Sequence, residues 1–184
     1  MQELLDKWGI KINYNTILSM WNESHRFYHN QNHLLDLINQ INENKTFFSE
    51  KEYEMLLITS LFHDCIYDPT SQENEEKSAD FFINCCSDKS NPDILKIKQM
   101  IIDTKSHNTS DKLSSKFNEF DMKIVERNYD QLLEWENGIH EEYKIYGNDL
   151  YKKGRLSFLE SIIDKYPKNM NNQLQLIDYV KSNY

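Results

Sequence analysis

Ser49-Glu50-Lys51-Glu52-Tyr53-Glu54-Met55-Leu56-Leu57-Ile58-Thr59-Ser60-Leu61-Phe62-His63-Asp64 is the stretch on which the fold turns. Ser49 and Glu52 have capping-box spacing, in which a serine hydroxyl and a glutamate three residues on satisfy each other's free backbone N–H groups. A helix is therefore predicted to start just after Ser49. Its second half, Met55 to Phe62, is almost wholly apolar, so it is expected to be buried. It ends in two ionisable groups, His63 and Asp64. Burying such groups is costly unless they are paired or bound to something.

On both sides of this stretch the pattern stays helical. Helices are predicted over about 15–25 and 28–43, the second with Leu34, Leu37, Ile38 and Ile41 on one face. After it, Asp68-Pro69 interrupts, and a helix through Ala79, Phe82, Ile83 and Cys86 follows. Asn91-Pro92-Asp93 opens the next with a cap, a proline at the first helical position and an acidic first turn. Its apolar face is Ile94, Ile97, Met100 and Ile101. Lys105 to Ser115 is polar and reads as a loop, and Phe117, Phe120 and Ile124 mark a short helix containing Asp121. Further amphipathic segments cover about 128–146, 148–165 and 170–182, separated by Gly147 and Pro167.

Only 4 Gly and 3 Pro occur, so signals for hairpins and glycine-rich phosphate loops are nearly absent. A length of 184 residues suits one domain, and no repeat or linker divides the chain. The expectation is a single all-α domain over 1–184. Its formal charge of −9 argues against a nucleic-acid scaffold, whose affinity would rest on clustered Lys and Arg. No apolar run approaches the ~18 residues of a membrane span, and Met1-Gln2-Glu3-Leu4-Leu5-Asp6 shows no secretory pattern. The three Cys form no CxxC pair and read as reduced thiols. No membrane role and a cytoplasmic setting are the corresponding expectations.

Candidate chemistry gathers on histidines and aspartates. His29 and His33 stand four apart, on one face of a predicted helix. His63-Asp64 ends the apolar helix, Asp121 lies on an apolar face, and Thr104-Lys105-Ser106-His107 closes the Ile-rich helix. Imidazole and carboxylate together are the donors that Zn, Fe or Mn accept. Two helical metal architectures fail on spacing: no Glu lies three residues before any His, as a ferritin-like di-iron bundle needs, and His140-Glu141 lacks the second His of a zincin.

The order His, His-Asp, Asp on successive helices resembles the HD superfamily of metal-dependent phosphohydrolases. The likeness is to a small bacterial branch with six blocks in order. Arg26, Tyr28, His29, Asn30, His33 and Leu34 match the first. Phe62, His63, Asp64, Tyr67, Asp68 and Pro69 match the second, and Asn74, Glu75, Glu76, Ser78 and Ala79 the third. Thr104 with His107, Asp121, and Gly154 with Arg155 complete the series. The resemblance covers about residues 20–165 and implies an HD-type helical bundle. It also implies a divalent ion (Mn, Fe, Zn, Ni, Co or Mg) held by His33, His63, Asp64 and Asp121. Water activated there would hydrolyse a phosphomonoester or phosphodiester, a nucleotide or related small molecule.

In the related cyclic-nucleotide phosphodiesterases, the first His of this motif protonates the leaving group and the second binds metal, which makes His29 the acid and His33 a ligand. An Arg-x-x-His reading would instead put His29 on the ion behind Arg26; the continuation Leu34-Leu35-Asp36-Leu37 favours His33. Asp64 would share in catalysis. Lys105, His107 and Arg155 are candidates to touch substrate, although Lys105 and Arg155 read equally well as solvated charges. Glu75, Asp68 and His107 are candidates for a second ion or for orienting ligands, and an exposed helix face suits Glu75 as well. The chain departs from the family in having Glu119 and Asp121 where an Asp-x-Asp pair is common, and His140 where an Arg is common. A non-catalytic HD-type domain that binds a nucleotide or regulates a partner is the alternative.

Overall fold

The computed structural model describes residues 1–184 and is all-α, with ten α-helices and no β-strand. The helices gather into two compact units, Met1–Asp121 and Met122–Tyr184. No linker marks the boundary, because a 3₁₀ turn at Met122–Glu126 follows directly on the helix ending at Asp121.

The first unit holds α1 (Gln2–Lys7), α2 (Tyr14–Trp21), α3 (Gln31–Glu43), α4 (Glu50–Phe62), α5 (Asn74–Cys85), α6 (Pro92–Asp103) and α7 (Lys112–Asp121). Helix α4 is the axis, packed against α3, α5, α6 and α7. Every side chain from Met55 to Phe62 is buried, as an apolar run without a polar face requires. Each fully buried Leu, Ile or Phe contributes about 1.5–3 kcal/mol, and Met55, Leu56, Leu57, Ile58, Leu61 and Phe62 of this run all belong to the unit's core. Its two polar members satisfy themselves within the helix: Thr59 Oγ1 donates to the Met55 carbonyl and Ser60 Oγ to that of Leu57.

The capping box is present in full, with Ser49 accepting from the Glu52 N–H and Glu52 accepting from that of Ser49. Ser49→Ala should lower stability by about 0.5–2 kcal/mol in urea denaturation, without altering the helices' content by circular dichroism. An unchanged midpoint would contradict the cap's role.

Three boundaries differ from expectation, and one of them matters for the site. Helix α2 stops at Trp21 rather than near residue 25. Helix α3 begins at Gln31 because Asn30 is its N-cap, the side chain accepting from the Asn32 N–H at 2.8 Å. A capping asparagine holds extended backbone, so His29 lies in the loop before the helix and does not share a helical face with His33. Helix α7 likewise starts earlier than expected, at Lys112 inside the stretch read as loop. Asp111 Oδ1 accepts from the backbone N–H groups of Leu113 and Ser114, which ties down its first turn.

The second unit is built from α8 (Tyr129–Tyr143), α9 (Gly147–Ile163) and α10 (Met170–Asn183), which pack on one another. Gly147 breaks the run between α8 and α9 as expected. Its φ of 71° and ψ of 161° form a conformation essentially confined to glycine. No helix is long and apolar enough to cross a membrane. Cys65, Cys85 and Cys86 all carry free thiols.

Candidate metal centre

Helix α4 delivers His63 and Asp64 at its C-terminal end, and α3 and α7 both pack on α4. His33, in the first turn of α3, and Asp121, the last residue of α7, are thereby brought to the same place. Donor atoms of His33, His63 and Asp64 lie within 4.8 Å of one another. Asp121 Oδ1 stands 3.1 Å from His33 Nε2 and 3.6 Å from His63 Nε2, and Asp64 Oδ2 stands 3.3 Å from His63 Nε2.

These separations suit a shared ion. Atoms each about 2.0–2.2 Å from one centre are about 2.8–3.1 Å apart along the edges of an octahedron and about 3.3–3.6 Å apart along those of a tetrahedron. The His63 ring supplies a second test. Its Nδ1 lies 3.0 Å from the Ser60 carbonyl, which only accepts, so Nδ1 carries the proton and donates. Nε2 then points at the two carboxylates, is fully buried, and is aligned with neither for a hydrogen bond. A ring held through Nδ1–H with its other nitrogen buried and unpartnered is how protein scaffolds present a histidine to a metal. Two carboxylates and two imidazoles also match a divalent ion in charge and in donor type. The residues fit the group.

The surroundings fix these donors. Trp21 packs beneath them, its ring centre 5.3 Å from that of His63 and 6.2 Å from that of His33, with Nε1–H donating to the Leu61 carbonyl at 2.9 Å. Phe117 meets the His63 ring edge-on at 5.4 Å. His107 Nε2 donates to Asp121 Oδ2 at 3.0 Å, leaving Oδ1 toward His33 and His63. His107 holds that contact from a left-handed backbone, φ 49°, which costs free energy outside glycine and persists only where surrounding contacts enforce it.

His29 stands beside the cluster. Its ring stacks on Tyr67 at 4.5 Å, its centre is 6.1 Å from that of His33, and it is near enough to Asp64 to lower that carboxyl. Of the other residues nominated from sequence, Glu75 is half-buried with its carboxyl pushed up, chiefly by burial. The Asp68 side chain is spent on its own turn, accepting from the N–H and hydroxyl of Thr70. Lys105 donates to Glu76 Oε1 and the Gln72 carbonyl, each at 2.6 Å. Arg155 lies in the second unit, where its Nε donates to the fully buried Glu136 at 2.6 Å and its guanidinium covers the Trp135 ring. Sequence reading gave no role to Trp21 or to the Ser60 carbonyl. The second was visible, since a histidine three residues after Ser60 in a helix lies over that carbonyl's turn.

Without an ion the centre is an internal ion pair. Burial disfavours a charge on His63, but the Asp64 and Asp121 carboxylates more than offset it and push the pKa up to about 10. Burial would raise both carboxyls, yet the charge of His63 beside them holds both well below the usual range. For His63 the raised value contributes stability that is complete below 6.5, its ordinary pKa, and is lost as pH climbs toward about 10. The carboxylates contribute above 3.8, and that part is lost as pH falls below it. In chelator, the melting temperature should therefore be highest between about 4 and 6.5 and decline steadily up to pH 9. A level profile across pH 6.5–9 would contradict the pairing.

No family model, no curated protein and no solved structure matches this chain.

Proposed function

We propose that the chain is a metal-dependent phosphohydrolase of the HD type, acting on a phosphomonoester or phosphodiester of a nucleotide or related small molecule. The observation that carries this reading is the buried, unpartnered Nε2 of His63, aimed between two carboxylates. The ordered motif blocks of the sequence support it, and free thiols accord with a cytoplasmic setting. His33, His63, Asp64 and Asp121 would hold the divalent ion. When bound, such an ion lowers the pKa of water toward neutrality and offsets charge on a phosphoryl oxygen.

The remaining steps belong to the chain's own side chains. Asp64, a carboxylate among the clustered donors, would accept a hydrogen bond from the attacking water and orient it. His29, stacked on Tyr67 next to Asp64, gives a proton to the departing oxygen. Trp21 and Phe117 close the side of the centre that faces the core and keep water from it. A substrate phosphate reaching Lys105 would compete with Glu76 for it.

The test is direct. Chelator-treated protein is given Mn²⁺, Co²⁺, Ni²⁺, Zn²⁺ or Mg²⁺ and assayed on nitrophenyl phosphates and on linear and cyclic nucleotides. Hydrolysis restored by an ion and absent without one is the expected result. Calorimetric titration showing no ion bound would overturn the reading. An ion and a nucleotide bound without any hydrolysis would favour the non-catalytic module.

A further inference from the structure

Arg26 is the most thoroughly engaged charge in the first unit. Its side chain has no exposed surface, and all three guanidinium nitrogens donate to acceptors. Nε and Nη2 reach Glu23 Oε2 at 3.0 Å. Nη1 donates to the Asp64 carbonyl at 2.7 Å and to the His29 carbonyl at 3.1 Å. Nη2 also donates to the Cys65 carbonyl at 3.0 Å. The flat group lies against the rings of Trp21 and Tyr67, its carbon 5.6 and 5.2 Å from their centres.

These acceptors come from two separate segments. Asp64 and Cys65 follow α4, where the last helical carbonyls lack intrahelical partners. His29 precedes the cap of α3, the helix that carries His33. One planar cation therefore fastens the loop before His33 to the turn after His63, and it holds Asp64 by the main chain rather than by the carboxylate. From this we infer that Arg26 is a positioning residue for the metal centre, setting the separation between His33 and the His63-Asp64 pair. The inference rests on the metal-binding reading above. Lysine does not substitute, because a single ammonium lacks the planar fork that spans three carbonyls and Glu23 at once.

Co²⁺ is the probe, since its visible absorption reports the arrangement of its ligands. The parent protein is titrated first; failure to bind Co²⁺ there would overturn the metal-binding reading itself, and this inference with it. With the parent binding, Arg26→Lys should remain helical by circular dichroism, bind Co²⁺ about 10- to 100-fold more weakly, and show an altered absorption envelope at saturation. A folded Arg26→Lys protein with the parent's affinity and envelope would show that Arg26 only stabilises the fold. Should Arg26→Lys fail to fold, Glu23→Ala decides. Glu23 is partly exposed, and removing it frees the guanidinium to shift without emptying the core. That variant should weaken Co²⁺ binding several-fold and alter the envelope in the same direction, and parent-like titration would overturn the inference.

Discussion

His63→Ala should bind no Mn²⁺ or Co²⁺ at concentrations that saturate the parent, and its hydrolysis of phosphate esters should fall to background. The expected loss is total because this ring is the one donor that has no hydrogen-bonding use for its inward nitrogen. The same substitution carries a second effect, on stability. Without an ion, His63 is the cation that Asp64 and Asp121 share inside the protein. Removing one partner of a buried ion pair leaves uncompensated charge and costs about 3–5 kcal/mol. Urea denaturation in chelator should show a loss of that size. The two effects are separable with the double variant His63→Leu, Asp64→Asn, which removes a buried charge of each sign, fills the space of the ring with apolar atoms and leaves Asp121 its contacts with His33 and His107. Replacing a buried pair in this way is often neutral or stabilising. The double variant should regain most of the stability and none of the ion binding or turnover. Ion binding that returned along with stability would remove His63 from the ligand set.

How much of this was legible in the sequence depends on whether the determinant is local. Helix α4 was, because a capping box and an unbroken apolar run are both contained within it. Its end at His63-Asp64 was visible for the same reason. The nearness of His33 and Asp121 to that end is set by α3 and α7 packing on α4, across sequence separations that periodicity does not report. Only the order of motif blocks pointed to it. The placement of His29 shows the reverse case. A local signal was there, in Asn30 with an N–H donor two residues on, but the apolar spacing further along drew the expected helix back to residue 28. Capping won over periodicity, since an asparagine that satisfies the first free N–H groups also fixes non-helical backbone at its own position. The division at Asp121 was illegible for a different reason: residues 121 and 122 pass from helix to 3₁₀ turn with neither proline nor glycine between them.

His29 and His33 are the pair whose roles separate most sharply under substitution. His33→Ala should lose ion and turnover together, because His33 Nε2 is one of the clustered donor atoms. His29→Ala should keep the ion and slow turnover by about 10²–10⁴-fold, the usual worth of a general acid. The structure gives a reason to expect the frame to survive. What ties the His29 segment to the turn after α4 is the His29 carbonyl, which accepts from Arg26 Nη1 and is retained in alanine. The lost ring removes the stacking on Tyr67 and the positive influence on Asp64, but no donor of the cluster. The leaving group then identifies the missing step. A nitrophenolate departs without needing a proton, so His29→Ala should be nearly as fast as the parent on a nitrophenyl ester. On an alkyl or ribose ester, whose alkoxide must be protonated, it should show the full loss. Equal slowing on both substrates would mean that His29 acts by some means other than proton donation. An ion lost from His29→Ala and retained by His33→Ala would reverse the assignment and make His29 the ligand.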